Sequence, residues 1–173
     1  MDKIILGLLM LTNMTIYELN ANFSKGLSMI YAASYGNLQY AVKKLLKNEM
    51  IYFEEKVENG RNKKIYHINE SGVACFYKWM NEDVTTNNLE TTILSKVYFL
   101  GLIEKKDHKD IIIDRMIFAV DAYIDELNNS SKGVDLTAIP EAYRDIASYQ
   151  LSTLDYGMGV SQFSKTWLMG LKG

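Results

Sequence analysis

The sequence is poor in cysteine and histidine, and this scarcity excludes several kinds of site. Cys75 is the single cysteine in 173 residues, so no disulfide can form within the chain. Together with the two histidines, His67 and His108, it cannot supply the four nitrogen and sulfur ligands of a structural zinc site. A zinc finger is therefore excluded, and we predict no metal and no cofactor.

Long apolar runs are also absent. No stretch of about 18 uninterrupted apolar residues occurs, which argues against a membrane-spanning helix. The first eleven residues hold one lysine and a short apolar run broken by Gly7, without a small-residue cleavage site, so we expect a core helix there. We predict a cytoplasmic protein without membrane contact. Hydrophobic residues at 48% and charged residues at 23% are typical of a folded globular chain.

A strong net charge of one sign is missing, but the charge is unevenly distributed. Residues 1–80 hold 10 Lys and Arg against 7 Asp and Glu, a net of +3, whereas residues 81–173 hold 9 against 14, a net of -5. This change of sign indicates an anion-binding module joined to one that does not touch the anion. A net of +3 is nevertheless small for a nucleic-acid binder, so a protein-binding module stays open as the alternative.

Three helices are predicted in the first 50 residues. Residues 4–11 are almost wholly apolar, and a tight turn leads to Thr15, which stands three residues before Glu18 in a capping-box spacing. Ser34 opens the third helix. Apolar residues spaced by three and four form its core-facing stripe, namely Leu38, Ala41, Val42, Leu45 and Leu46. Its opposite face carries polar, aromatic and basic groups, namely Asn37, Gln39, Tyr40, Lys43, Lys44 and Lys47.

A β-hairpin follows the third helix. Apolar and polar residues alternate from Ile51 to Val57 and again from Lys64 to Ile68, and Asn59-Gly60 between them is a strong hairpin signal. Arg61, Lys63 and Lys64 cluster at its tip. Asn69 is placed to cap a fourth helix that starts at Glu70.

The remainder of the chain is predicted to be helical. Residues 81–88 are polar and mark a boundary between a first domain, 1–80, and a second domain, 81–173. Apolar residues are dense over 89–103 and recur helically over 111–127, and we assign 128–133 to a linker. Pro140 is suited to the first turn of a last helix, which Gly157 and Gly159 should bend or interrupt.

The order of these elements is that of a winged helix-turn-helix. We therefore predict a mainly α fold with a small β-hairpin: an N-terminal winged helix-turn-helix DNA-binding domain and a C-terminal helical dimerisation domain. The third helix would enter the major groove, with Asn37, Gln39 and Tyr40 able to reach base edges and phosphates. Phosphate contacts are assigned to five cations, namely Lys43, Lys44, Arg61, Lys63 and Lys64. Each lysine alone is more often an ordinary solvated residue, and it is their grouping that favours DNA.

Several fragments of residues 4–80 together resemble the PadR family of bacterial transcriptional regulators. They are Ile5-Leu6-Gly7-Leu8-Leu9, Ile16-Tyr17-Glu18-Leu19, Ser34-Tyr35-Gly36-Asn37-Leu38, Lys44-Leu45, Gly60-Arg61 and the run from Lys64 to Gly72. The resemblance implies a DNA-binding winged helix and a helical C-terminal domain that serves dimerisation. Ser34 and Tyr35 join the predicted DNA-binding residues on this basis. Gln39 stands where the family usually has tyrosine, and Tyr40 where it often has proline.

The sequence offers no support for an enzymatic function. Neither histidine has a nucleophile or a second metal ligand at a motif spacing, Gly157-Met158-Gly159 lacks the context of a dinucleotide loop, and Cys75 is interpreted as an inert thiol. We predict no catalytic residue. The predicted function is a homodimeric, sequence-specific DNA-binding regulator, a repressor, on a two-fold symmetric operator. The alternative is a winged-helix protein-protein interaction module without specific DNA binding.

Aromatic residues in the acidic half suggest a further partner. They include Tyr98, Phe99, Phe118, Tyr123, Tyr149 and Trp167. Such residues line pockets for small apolar or aromatic effectors, and they equally form ordinary cores and dimer seams.

Overall fold

The computed structural model describes residues 1–31, 34–58, 60–132 and 135–172. The helices and strands are α1 (Asp2–Leu11), β1 (Met14–Thr15), α2 (Ile16–Lys25), α3 (Tyr35–Lys47), β2 (Ile51–Glu58), β3 (Arg61–Ile68), α4 (Glu70–Asn81), α5 (Leu89–Tyr98), α6 (Lys106–Ser131) and α7 (Glu141–Gly170). Short 3-10 turns occupy Leu100–Leu102 and Leu136–Ala138. The fold is mainly helical with one small antiparallel sheet, as the sequence predicts. None of the described helices combines the length and the apolar character needed to cross a bilayer.

The chain forms two compact units, Met1–Glu82 with Glu90–Ile103, and Asp83–Leu89 with Glu104–Gly173. In the first unit, α1 is the central element because its side chains are buried on almost every side, from Ile4 to Leu9. Leu38, Val42 and Leu45 of α3 join this core, as the predicted stripe requires.

The sheet holds one strand that the sequence did not reveal. Strand order is β1-β3-β2, and Met14 and Thr15, in the predicted tight turn, pair with Tyr66 and Ile65. The predicted hairpin is confirmed, with β2 and β3 in register from Ile51 opposite Ile68 to Glu58 opposite Arg61. Gly60 has a φ of 72°, which suits a tight turn, while Asn59 lies outside the described residues.

Helix starts follow two of the three predicted caps. The Thr15–Glu18 capping box is complete, and the Ser34 hydroxyl accepts a hydrogen bond from the Asn37 backbone N–H. Asn69 precedes α4 but makes no side-chain cap, since its amide donates to the Glu49 carbonyl at 2.8 Å. Ser71 donates to the same carbonyl at 2.6 Å, so these side chains tie the start of α4 to the turn between α3 and β2.

Residues 90–103 belong to the first unit, whereas the sequence assigned them to the second domain. Phe99 is 1% exposed, and its ring lies edge-on to Phe76 at 5.7 Å between centroids. The Lys96 ammonium, also buried, donates to the Met80 carbonyl at 3.3 Å and to the Glu82 carbonyl. The predicted boundary is displaced because α5 packs back on α4, a long-range contact that composition does not reveal.

In the second unit, α6 and α7 pack along each other. Ion pairs of 2.6 Å join Lys165 to Asp121 and Lys172 to Asp114, so the two helices run antiparallel. Ile112, Met116 and Val120 of α6 are buried.

Three predictions for this part of the chain are corrected. Residues 128–131 are helical, not a linker, because α6 continues to Ser131; Gly133 lies outside the described residues. Pro140 immediately precedes α7 instead of occupying its first turn. Helix α7 also runs unbroken through Gly157 and Gly159, since a glycine costs only about 1 kcal/mol in a helix. A Cβ at Gly157 would stand 3.3 Å from Leu127 Cδ1, so this glycine permits a close approach to α6.

Candidate nucleic-acid interface

The exposed side of α3 carries most of the predicted DNA-binding residues. Because Leu38, Val42 and Leu45 are buried, the helix turns its other side to solvent. Exposed residues there include Tyr35, Asn37, Gln39, Tyr40, Lys43 and Lys44, and Ser34 stands exposed at the start of the helix. Tyr40 is 73% exposed, although it is a large aromatic side chain. We call the exposed side of α3 the recognition face.

Tyr17 adjoins this face and was not predicted. It lies in α2, is 75% exposed, and stacks on Tyr35 with 6.2 Å between ring centroids. The signal was present in the sequence, since the Ile16, Leu19 and Phe23 stripe turns the intervening Tyr17 outward. Two exposed phenols, those of Tyr17 and Tyr35, thus offer hydrogen-bond donors of the kind that contact phosphate oxygens.

Lys44 is held by a carboxylate in the same unit. Its ammonium lies 2.7 Å from Asp2 Oδ2, in the first turn of α1. The hydrogen bond to Asp2 raises the pKa of Lys44, because it stabilises the charged ammonium. The charge is present, but it is already matched by an opposite one.

The hairpin, which we call the wing (β2 and β3), pairs its lysines in the same way. Lys63 contacts Glu58 at 2.5 Å, and this hydrogen bond lowers the pKa of Glu58. Lys64 lies 3.8 Å from Glu55 and 4.0 Å from the centre of the Phe53 ring. The side chain of Arg61 lies outside the described residues.

Lys56 is a further basic group of the wing that sequence reasoning left out. It stands directly opposite Lys63 in the strand register. Like charges facing each other across two strands repel. Glu58, two residues after Lys56 on the same strand and diagonal to Lys63 across the ladder, contacts Lys63 and offsets this repulsion.

The base of the wing is built around His67. Its ring stacks on Tyr52 at 4.8 Å between centroids, and Nε2 lies 3.7 Å from Glu54 Oε2. Within the described part of the chain, the buried Nε2 has no hydrogen-bond partner. Elsewhere in this unit, the Lys3 ammonium donates to Cys75 Sγ at 2.8 Å. In residues 1–31, 34–58, 60–132 and 135–172, no three His, Cys, Asp or Glu side chains are grouped as metal ligands.

An open groove of about 720 Å³ lies near the other end of α3. It is lined by the end of α3, the start of β2 and the start of α4, including Leu46, Glu49, Tyr52, Phe53 and Glu70. None of these lining residues belongs to the predicted DNA-binding set or to the predicted aromatic effector set.

Comparison with known proteins supports the resemblance read from the motifs. No family model matches the chain. The chain is 22% identical over 114 residues to the negative transcriptional regulator PadR of Bacillus subtilis, which corresponds to 65% of this chain. The match spans 63% of the length of that relative. The predicted resemblance to PadR-type regulators is thus confirmed.

Several solved structures align with nearly the whole chain. Bacillus subtilis PadR in complex with operator DNA gives a TM-score of 0.45 at 18% identity, covering 99% of this chain and 96% of that one. The protein smu.1604c from Streptococcus mutans gives 0.46 at 25% identity, covering 98% and 96%. Bacillus subtilis PadR in complex with p-coumaric acid gives 0.42 at 18% identity, covering 99% and 92%.

Proposed function

We propose that this chain is a sequence-specific DNA-binding transcriptional regulator of the PadR kind. It acts as a repressor on chromosomal DNA in the cytoplasm. The observation that carries the proposal is the recognition face, an exposed polar, aromatic and basic helix surface beside a basic wing in one unit. Base-edge contacts are assigned to Asn37, Gln39 and Tyr40. Phosphate contacts are assigned to Ser34, Tyr35, Lys43, Lys44, Arg61, Lys63 and Lys64. The description of the curated relative as a negative regulator supports repression.

The test of DNA binding uses the whole chain and genomic fragments enriched by repeated selection for binding. Lys63→Ala with Lys64→Ala should weaken binding to operator and random DNA alike. Each lost phosphate contact should reduce the slope of log affinity against log salt by about 1. Lys78→Ala, which removes one exposed lysine of α4, is the control for each single wing substitution, Lys63→Ala and Lys64→Ala. An unchanged slope in the double variant would remove the wing from the interface.

Sequence preference is tested separately at the recognition face. Asn37→Ala and Tyr40→Ala should change the ranking of operator variants, at about 1–3 kcal/mol for each well-made base contact. If operator and random DNA lose affinity equally, these residues only position the helix.

The alternative is a winged-helix module that binds a protein and has no specific DNA site. The carboxylate partners of Lys44, Lys63 and Lys64 favour it, because they reduce the positive potential of the surface. Equal affinity for all DNA sequences at low salt, or none, would support this second function.

A homodimer belongs to the proposal, because one recognition helix reads only a few base pairs. Support comes from α7, where Tyr149, Tyr156 and Phe163 are 72%, 76% and 70% exposed. Their spacing of seven residues places them on one face of the helix. A second copy of the chain would cover this aromatic face, which is unusual for a surface left in water. Light scattering should give about 40 kDa, twice the 19.8 kDa of one chain, and a mass of one chain at micromolar concentration would overturn the dimer.

A small phenolic effector is the last part of the proposal. Its support is the PadR structure with p-coumaric acid and the tyrosines of the second unit. Phe99 leaves the predicted effector set, since it is buried in the core of the first unit. An effector can release DNA only if it binds the DNA-incompetent state more tightly. Titration of hydroxycinnamates, followed by Trp79 and Trp167 fluorescence and by operator release, tests this, and a panel without release would exclude the class.

A further inference from the structure

The cations assigned to DNA phosphates already have anionic partners. Asp2 contacts Lys44 at 2.7 Å, and Glu58 contacts Lys63 at 2.5 Å. One pair sits on the recognition face and the other on the wing, so both parts of the interface show the same arrangement. A carboxylate and a phosphate oxygen offer an ammonium group the same kind of acceptor.

Each carboxylate is fixed in its place by local structure. Asp2 lies in the first turn of α1, where the helix dipole favours a negative charge. Glu58 lies at the end of β2, diagonal to Lys63 across the ladder and two residues after Lys56 on the same strand. A phosphate that approaches Lys44 or Lys63 must therefore share the ammonium with the carboxylate or displace it, and in both cases the negative charge of the carboxylate repels the phosphate.

We propose that Asp2 and Glu58 are internal competitors of the DNA phosphates, and that by holding Lys44 and Lys63 they lower the affinity of the protein for DNA. The inference rests on the proposed DNA-binding function. On this inference, the two acidic residues determine the affinity of the protein for DNA of any sequence. The base contacts determine which sequence is preferred. A regulator with weakened general affinity is less occupied by random DNA.

The test measures DNA affinity of the full chain for operator and for random duplex at several salt concentrations. Asp2→Asn and Glu58→Gln should each tighten binding to both duplexes by about two- to fivefold, the range that exposed ion pairs allow, and should steepen the salt dependence. Glu90→Gln is the control, an exposed carboxylate with the same change in charge and no ion pair in the described part of the chain.

A double-mutant cycle separates competition from simple loss of negative charge. In the Lys44→Ala background, Asp2→Asn should lose most of its effect on DNA affinity. In the Lys63→Ala background, Glu58→Gln should likewise lose most of its effect on DNA affinity. An independent readout without DNA is the NMR titration of Glu58, whose lowered pKa should rise in the Lys63→Ala variant. Unfolding curves of all variants confirm that they fold.

The outcomes are distinguishable. The inference would be overturned if Asp2→Asn and Glu58→Gln increased DNA affinity no more than Glu90→Gln does, or if the lysine substitutions left these increases unchanged. The proposed DNA-binding function would not be affected by either result. If the wild-type chain and every variant bind no DNA even at low salt, the proposed function fails and the inference falls with it.

Discussion

Gly72 shows at the scale of one residue how closely the wing and α4 approach. A Cβ at this position would stand 2.2 Å from the Met50 carbonyl oxygen and 2.8 Å from Ile68 Cγ1. Backbone cannot yield as a flexible side chain can, so we expect Gly72→Ala to destabilise the fold by about 1–3 kcal/mol. Urea unfolding measures this, with Gly101→Ala as the control because a Cβ there meets nothing within 4 Å. Equal stability of the two variants would contradict the packing at Gly72.

The capping box at the start of α2 makes stability depend on pH. Glu18 accepts hydrogen bonds from the Thr15 N–H at 2.7 Å and the Thr15 hydroxyl at 2.8 Å, and these bonds lower the pKa of the Glu18 carboxyl. A carboxyl with a depressed folded-state pKa contributes stability above its unfolded pKa and loses it as pH falls through the folded value. Unfolding free energies should therefore fall more steeply with acidification in the wild type than in Glu18→Gln.

Two further measurements check the capping box. Thr15→Ala should cost about 1 kcal/mol at neutral pH, since it removes the side-chain cap. The pH dependence is measured by urea unfolding between about pH 7 and about pH 3. Identical slopes in the wild type and Glu18→Gln would show that another group titrates.

At the scale of helices and strands, an element could be predicted from the sequence wherever its interaction partner lies close to it along the chain. The capping box lies within four residues, and the two strands of the wing meet across a short turn, so both were predictable. Strand β1 was missed because its two residues become a strand only by pairing with Tyr66 and Ile65, about 50 positions later. Lys96 and Phe99 carry no local mark of their burial in the first unit, which explains the displaced domain boundary.

The recognition face could be predicted from the sequence and the ion pairs could not, for the same reason. The exposed side of α3 follows from the helical period of Leu38, Val42 and Leu45, so its residues could be predicted from the sequence alone. The Asp2–Lys44 contact joins residues 42 positions apart, and no spacing rule indicates it. Sequence reasoning therefore found the cations and missed their partners.

Helix α7 gives a prediction about a whole element. A Cβ at Gly159 would meet nothing within 4 Å, and the helix passes this residue without interruption. Gly159→Ala should therefore stabilise the protein by about 0.5–1 kcal/mol, because alanine loses less backbone entropy in a helix. Gly157→Ala should gain less, since its Cβ would stand 3.3 Å from Leu127 Cδ1. Thermal unfolding compares the two, and an equal gain would contradict the close approach of α6 and α7.

At the scale of the whole molecule, charge and apolar surface are divided between the two parts of the chain. Residues 1–80 carry a net of +3 (10 against 7) and hold the recognition face, while residues 81–173 carry -5 (9 against 14) and hold the exposed aromatic face of α7. Acidic surfaces are repelled by DNA, so this distribution of charge is consistent with DNA binding by the first part. Under the proposed function, one part binds the operator and the other joins two copies.

This division predicts how loss of the dimer would affect DNA binding. Tyr156→Glu with Phe163→Glu places two charges on the aromatic face of α7 and should give a monomer with an intact recognition face. Two linked recognition helices bind a symmetric operator with an affinity about 100- to 10,000-fold above that of one, because the second contact is intramolecular. The affinity of the variant for the full operator should fall by about this factor, and its affinity for a single half-site should change little. Light scattering and fluorescence anisotropy measure the mass and both affinities, with Asp155→Asn as a control on the same helix. Equal losses on operator and half-site would mean that the aromatic face supports the fold of one chain and does not join two.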